Sequence, residues 1–125
     1  MQKMFTDSFS NLPKIIAVDF DGTLCEDQWP NIGKPNNIII EALKRCRKDG
    51  VKLILWTCRT NEGKGQDYLD DAVKWCHEKG LYFDAINMNI PEVMRLTGGD
   101  TRKVYANLYL DDKSLSIEDF YKLYV

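Results

Sequence analysis

Two aspartates stand one residue apart where an apolar run ends. Residues 15–18 are all apolar, and Asp19 and Asp21 follow them into a Gly-Thr turn. A short apolar run is typical of a parallel strand covered on both faces, and such strands present ligand-binding groups at their carboxyl ends. Two carboxylates this close resist double ionisation unless they share a proton or a cation, and Mg²⁺ is the usual cation beside phosphate. The alternative is an Asp-Gly turn that only ends a strand.

The segment from Asp19 to Leu24, with the sequence DFDGTL, resembles the first motif of the haloacid dehalogenase-like superfamily. That resemblance implies a Mg²⁺-dependent phosphatase that works through a phospho-aspartate. It implies that Asp19 is the nucleophile and a metal ligand. It also implies that Asp21 is the general acid and base, and that its main-chain carbonyl binds the metal. An aspartate nucleophile divides one hard displacement into two easier ones, and the cation offsets repulsion between carboxylate and phosphate.

A second strand-like run covers residues 51–57 and ends in Thr57. The Thr57 hydroxyl and the main-chain amide of Cys58 can donate to phosphate oxygens without adding negative charge. The second motif of the superfamily is likewise a Ser or Thr at the tip of an apolar strand, although a β-branched residue is ordinary at a strand end. Arg59 is a candidate substrate or phosphate contact, and the alternative for it is an exposed ion pair with Glu62.

A third run, residues 108–110, precedes Asp111 and Asp112 and repeats the pattern of the first strand. Asp111 is predicted to be the remaining carboxylate on Mg²⁺. Asp112 is predicted to bind the ion through water or to orient its neighbours. The alternative is an Asp-Asp turn before Lys113.

Lys103 is predicted to be the phosphate-binding cation, on a geometrical condition. If residues 104–110 formed one straight strand, Lys103 would lie about 23 Å from Asp111, at about 3.3 Å per residue, on the wrong side of the sheet. It can serve only if residues 104–107 run down and residues 108–111 run back up. Deoxyribonucleotidase-like members of the superfamily have a similar Lys before an apolar strand that ends in Asp-Asp. The competing lysines are Lys34, Lys64 and Lys113.

Length and composition predict one domain. We assign residues 1–13 to an N-terminal arm and residues 14–125 to a single domain, since 125 residues with 44% hydrophobic content suffice for one core. The net charge of −2 argues against a general nucleic-acid surface or an anionic-membrane surface. We expect a cytoplasmic protein, because no signal peptide or membrane span is evident. The four cysteines lack CxxC spacing and accompany a single His, so we expect reduced thiols and no zinc site.

Alternating helical and strand patterns predict an α/β, Rossmann-like three-layer sandwich with a mainly parallel central sheet. Helices are expected from residue 36 to about 49 and from about 66 to 79, a strand at 81–86, a helical turn near 90–96 and a helix from 116. The superfamily's cap domain is missing, because residues 22–35 are too few for one. Residues 28–30 are the available flap, in which Trp29 either stacks on a base or sugar or covers a surface hollow.

The expected partners follow from this interpretation. They are a small phosphorylated substrate, either a sugar phosphate or a nucleotide, or else a phosphorylated macromolecule. The segment with Phe120, Tyr121, Leu123 and Tyr124 either packs against the domain or forms a contact between two copies of the chain. The alternative function is a phosphate- or metal-binding regulatory domain without turnover. A receiver domain is disfavoured, because its phospho-acceptor lies on a later strand with Thr and Lys after it, whereas only Lys113 follows Asp111.

Overall fold

The computed structural model describes residues 10–124 of the chain. Most of the predicted N-terminal arm, residues 1–9, lies outside the described residues. The strands are β1 (Ile15–Val18), β2 (Cys25–Gln28), β3 (Asn31–Pro35), β4 (Lys52–Leu55), β5 (Ala85–Ile86) and β6 (Leu108–Leu110). The helices within the described range are α1 (Asn37–Lys48), α2 (Tyr68–Glu78), α3 (Pro91–Thr97) and α4 (Ile117–Tyr124).

Four of the strands form one parallel sheet in the order β5-β4-β1-β6. The strand β1 lies in the middle, with Val18 aligned to Leu55 on one side and to Leu110 on the other. This register brings the carboxyl ends of β1, β4 and β6 to the same edge of the sheet. Residues that follow these three strands therefore lie at one edge, where parallel sheets bind their ligands.

Alternate side chains of β1 enter two separate cores, as the strand period of two requires. Val18 packs in the core that contains Leu43 of α1 and Cys76 of α2. Ala17 packs in the core on the opposite face, which contains Val93 of α3. Helices therefore cover both faces, and the predicted Rossmann-like three-layer fold is confirmed.

Helix boundaries agree with the capping signals in the sequence. The side chain of Asn36 accepts a hydrogen bond from the Ile39 amide at the start of α1, which ends before Gly50 at a positive φ of 94°. Pro91 begins α3, and Gly98 ends it in the left-handed conformation. Proline suits the first helical position, and glycine adopts left-handed angles without steric cost, so both residues fix the ends of their helices.

Two elements differ from the sequence prediction. The flap is part of an antiparallel hairpin, in which β2 pairs with β3 around Trp29 and Pro30 and the register shifts between Cys25 and Asp27. The strand expected over residues 81–86 forms only at Ala85–Ile86. The reason lies at Asp84, whose carboxylate accepts the Leu53 amide of β4 at 2.9 Å. The Asp84 side chain thus accepts the Leu53 amide in place of a main-chain carbonyl. If β5 began earlier, one of its own carbonyls would accept that amide.

The C-terminal helix α4 forms where it was expected, but none of its residues is buried. Its Phe120 is 55% exposed and its Tyr124 is 69% exposed. Packing of this helix against the domain is therefore not what the structure shows, and a contact between two copies stays a prediction. Separately, no helix among residues 10–124 has both the length and the apolar character needed to span a bilayer.

Candidate active site

Three carboxylates meet at the carboxyl edge of the sheet. Asp19 follows β1, and Asp111 and Asp112 follow β6. The main-chain amide of Asp19 donates to the carbonyl oxygen of Leu110 at 2.9 Å, which joins the two strand ends. One carboxylate oxygen from each of the three aspartates lies within 4.8 Å of the others. The sequence prediction grouped these three residues, and the structure brings them together.

The carboxylates change one another's protonation. The pKa of Asp19 is raised to about 7 by burial, by the Asp111 charge and by a hydrogen bond with Asp112. Desolvation acts to raise the pKa of Asp112. The hydrogen bond with Asp19 and the charge of Lys113 outweigh that effect, so the pKa of Asp112 is lowered. Of these two hydrogen-bonded carboxyl groups, Asp19 is therefore the one that binds a proton more readily. Three carboxylate oxygens within 4.8 Å of one another are a donor set that fits a hard divalent cation, whose charge would offset the repulsion among them.

The Gly-Thr turn after Asp21 shapes this cluster. Gly22 has a positive φ of 89°, and a Cβ at that position would collide with the carboxylate of Asp112. The hydroxyl of Thr23 donates to Oδ2 of Asp19 at 3.3 Å. Glycine is needed here for its conformation and for the space it leaves. The turn thereby allows Asp112 to reach Asp19.

The carboxylate of Asp21 is outside the three-aspartate cluster and is bound by Arg59. Nε of Arg59 donates to Oδ2 of Asp21 at 2.9 Å, and Nη2 donates to Oδ1 at 2.8 Å. This bidentate geometry is the strongest common arrangement of a charged hydrogen-bonded pair. Asp19 and Asp21 therefore lie in two different environments, and their separate roles stay a prediction.

Arg59 is only 1% exposed, so the expected exposed pair with Glu62 is wrong. Besides Asp21, its guanidinium donates to the carbonyl oxygens of Pro30, Asn31 and Tyr68. An arginine side chain has five N–H donors, and these contacts use all five. The expected direct contact of Arg59 with substrate is accordingly not supported in this arrangement, because no donor is left for it.

Thr57 lies just beyond β4 on the same sheet edge. Its amide donates to Oδ1 of Asn87 at 2.8 Å, and its hydroxyl oxygen accepts from the Arg59 amide at 3.2 Å. Cys58 is exposed, and its amide makes no hydrogen bond within residues 10–124.

Asn87, which adopts a left-handed φ of 54°, was missed by the sequence analysis; an Asn just after a short strand is the signal that could have identified it.

The segment before β6 is doubled back, as a role for Lys103 requires. The hydroxyl of Tyr109, in the middle of β6, donates to the carbonyl of Val104 at 2.6 Å, so Val104 lies beside this strand. The amide of Asn107 donates to the carbonyl of Ile15 at the opposite edge of the sheet. A straight strand over residues 104–110 is thus ruled out.

The structure does not bring Lys103 into the acidic cluster. Its Nζ lies 5.3 Å from the centre of the Tyr109 ring. The lysine beside the cluster is Lys113, whose Nζ is 3.4 Å from Oδ2 of Asp112 and whose pKa is raised chiefly by that carboxylate. Binding of phosphate by Lys103 stays a prediction.

Asn89 is a residue that the sequence analysis missed. Its side chain is fully buried and donates to Asp100 and Thr101 while accepting the amide of Tyr105. The carbonyl of Lys103 in turn accepts the Thr101 hydroxyl at 2.8 Å. Asn89 therefore anchors the loop that carries Lys103.

A small cleft opens beside Asp21. It has a volume of about 270 Å³ and is lined by Asp21, Asp27, Trp29, Cys58 and Arg59. Trp29 is 53% exposed, with its ring centre 4.9 Å from that of Tyr68. Its exposed ring leaves both expectations open, since a stacked ligand or a covered hollow would each use this side chain.

The fold and this edge define an α/β protein with a three-aspartate cluster at the carboxyl end of its parallel sheet. The chain belongs to the same family as a conserved protein from Bacteroides thetaiotaomicron, whose solved structure is 38% identical to it in sequence. The match covers 90% of this chain and 88% of that chain, with a TM-score of 0.70. That protein is described only as a conserved protein, so it indicates no activity. Neither the protein-family models nor the curated proteins gave a match.

Proposed function

We propose that this protein is a Mg²⁺-dependent phosphomonoester hydrolase of the haloacid dehalogenase-like type. The observation that carries the proposal is the position of the half-buried Asp19, with carboxylate oxygens of Asp111 and Asp112 within 4.8 Å. The DFDGTL segment supports it, because Asp19 opens that segment. Nucleophilic aspartates that attack phosphate need a neighbouring cation, and this cluster is where the chain can bind one.

Each predicted site residue has a chemical task in this proposal. Asp19 and Asp111 hold Mg²⁺, Asp112 binds it through water, and the main-chain carbonyl of Asp21 completes the protein ligands. The ion, when bound, neutralises charge between the Asp19 carboxylate and the incoming phosphate. The hydroxyl of Thr57, the amide of Cys58 and the ammonium of Lys103 bind the phosphoryl oxygens.

The reaction has two displacements. A carboxylate oxygen of Asp19 forms a bond to phosphorus, the bond to the leaving oxygen breaks, and Asp21 gives that oxygen a proton. In the second step Asp21 takes a proton from water, which attacks the phospho-Asp19 and releases inorganic phosphate. One carboxylate thus serves as acid and then as base, which restores the starting state of both residues.

The cleft beside Trp29 favours a compact leaving group such as a sugar or a nucleoside. Its volume of only about 270 Å³ suits such a small group. Because the cleft is also open to solvent, a phosphorylated side chain on a macromolecule would fit as well. We propose a cytoplasmic location, because the sequence shows no evident signal peptide or membrane span. We also propose a second copy of the chain as a partner, because α4 exposes the aromatic side chains of Phe120 and Tyr124.

A regulatory domain that binds metal or phosphate without turnover is the second candidate. The observation that favours it is the bidentate pair with Arg59, which occupies both carboxylate oxygens of Asp21. If the Asp21 carboxylate stays ionised in this pair and binds no proton, it cannot protonate a leaving group. Tight binding of a phosphate mimic without phosphate release would select this function.

The test is phosphate release from a panel of phosphorylated sugars, nucleotides and p-nitrophenyl phosphate. We expect release with Mg²⁺, none with EDTA, and none from Asp19→Asn. Asp49→Asn is the matched control, since this exposed aspartate lies before β4 at the opposite edge of the sheet. A folded wild-type protein that releases phosphate from no member of the panel would contradict the proposal.

A further inference from the structure

The side chain of Arg59 contacts both the proposed acid-base residue and the hairpin tip beside the cleft. We propose that Arg59 is a positioning residue, which fixes the Asp21 carboxylate relative to the tip of the β2–β3 hairpin so that Asp21 faces the leaving group. This inference rests on the proposed function, because it assigns the support for that reaction's acid and base.

Four of the five hydrogen bonds of the Arg59 guanidinium divide into two sets, and the fifth goes to the carbonyl of Tyr68 at the start of α2. One set is the bidentate pair with Asp21, at 2.9 and 2.8 Å. The other set binds the hairpin tip, through the carbonyls of Pro30 at 3.3 Å and Asn31 at 3.2 Å. A planar guanidinium has a rigid arrangement of donors, so the two sets cannot move independently of each other.

Two aromatic rings and burial hold the guanidinium itself in place. Its Cζ lies 4.9 Å from the ring centre of Phe20 and 5.0 Å from that of Trp29. Phe20 is fully buried, while Trp29 lines the cleft. A buried arginine with every donor satisfied is a fixed reference point, because any displacement would leave charged N–H groups without acceptors.

The pair leaves Asp21 able to act on a ligand. A carboxylate offers about four lone-pair positions, and Arg59 uses one on each oxygen. The Asp21 side chain is 19% exposed and lines the cleft. Arg59 thus constrains the direction of the carboxylate and leaves part of it facing the space that a substrate would occupy.

The experiment is a double-mutant cycle with p-nitrophenyl phosphate and Mg²⁺. We expect Asp21→Asn to lower kcat by about 100-fold and Arg59→Lys to lower it by about 10-fold with little change in KM, in the range of general acid-base effects. Because Arg59 acts through Asp21, the double variant should be no slower than Asp21→Asn alone. Arg47→Lys is the control, since Arg47 also pairs with an aspartate, Asp84, but away from the cleft.

Losses that multiply in the double variant, or a kcat of Arg59→Lys equal to wild type, would overturn the inference and leave the proposed function standing. A folded wild-type protein without turnover would overturn both.

A second measurement needs neither an Arg59 variant nor turnover. In Asp21→Ala, we expect hydrogen exchange of the amides of residues 31–34 to rise at least about fivefold, with those of α3 unchanged, since local openings are specific to a region. Unchanged exchange in the hairpin would overturn the inference.

Discussion

The main-chain amide of Asp19 donates a hydrogen bond to the carbonyl of Leu110 over 2.9 Å. This bond lies one residue beyond the end of β1 and at the last residue of β6. It therefore sets the register in which the side chains of Asp19 and Asp111 leave the sheet together. The proximity of these carboxylates is a consequence of parallel pairing, and it adds to the effect of burial, which is the largest cause of the raised pKa of Asp19.

The first prediction is that Mg²⁺ stabilises the protein more at pH 8 than at pH 5.5. The pKa of Asp19 is raised from 3.8 to about 7 in the folded state, so between these values the folded state binds more protons than the unfolded state. Stability without metal should therefore fall as pH rises from about 4 to about 7, by on the order of 1 kcal/mol after allowance for solvent screening. Thermal unfolding with Mg²⁺ and with EDTA at both pH values measures it.

Asp19→Asn is the control for this effect. It removes the titrating group, so the part of the pH slope that belongs to Asp19 should disappear and Mg²⁺ should stabilise little at either pH. Equal stabilisation by Mg²⁺ at both pH values in the wild type would show that metal binding displaces no proton from this cluster.

The second prediction concerns two glycines with nearly the same positive φ. Gly50 has open space around it, so Gly50→Ala should cost only the conformational strain, about 1–2 kcal/mol. At Gly22 a Cβ would also collide with Asp112. Gly22→Ala should therefore destabilise the protein further and weaken Mg²⁺ binding, which denaturant unfolding and calorimetry measure. Mg²⁺ affinity in Gly22→Ala equal to that in Gly50→Ala would contradict the packing argument.

The sequence predicted the strands that hold the acidic cluster because each carries its own signal. The apolar runs that became β1, β4 and β6 each end at a polar residue, and parallel pairing is enough to bring those ends together. Asp19, Thr57 and Asp111 could therefore be placed at one edge of a sheet without coordinates. The doubled-back path before β6 could be stated as a condition for a role of Lys103, because a straight strand would place Lys103 too far from Asp111.

The surroundings of Asp21 were not predictable in this way. Arginine is among the residues least often buried unless paired, and the partner of Arg59 lies 38 positions earlier in the chain. Asn87 and Asn89 lie in loops, where a polar side chain is unremarkable until its backbone partners are known. The shortness of β5 also depends on a side-chain contact that the sequence does not reveal. The Asp84 carboxylate accepts the Leu53 amide, which strand propensity alone would pair with a main-chain carbonyl.

The third prediction separates two lysines. The backbone of Lys103 is fixed by Thr101 and by the neighbouring contact of Val104 with Tyr109, whereas the Lys113 side chain is 76% exposed and its Nζ lies 3.4 Å from Asp112. Lys103→Met should raise the KM for p-nitrophenyl phosphate by about 10-fold, because its charge is proposed to bind phosphate, and Lys113→Met by less than about 2-fold, because the Lys113 ammonium is paired with Asp112. The reverse order would assign phosphate binding to Lys113.

The fourth prediction concerns the loop anchor. Asn89→Ala leaves the amide of Tyr105 and the carboxylate of Asp100 without the amide group that binds both. We expect a loss of about 1–3 kcal/mol in the free energy of unfolding, because a fully buried side chain that makes three hydrogen bonds is removed. Asn31→Ala, at an exposed side chain of the hairpin, is the control and should change stability by less than about 0.5 kcal/mol. Equal losses in the two variants would contradict the anchoring role.

The most direct test of the central claim is a crystal structure of the protein with Mg²⁺ and beryllofluoride, a mimic of the phosphoryl group. The account predicts beryllium bonded to a carboxylate oxygen of Asp19, with Mg²⁺ bound by Asp19 and Asp111 and a fluoride within hydrogen-bond distance of Thr57. Beryllofluoride bound at another residue, or Mg²⁺ bound away from Asp19 and Asp111, would contradict it.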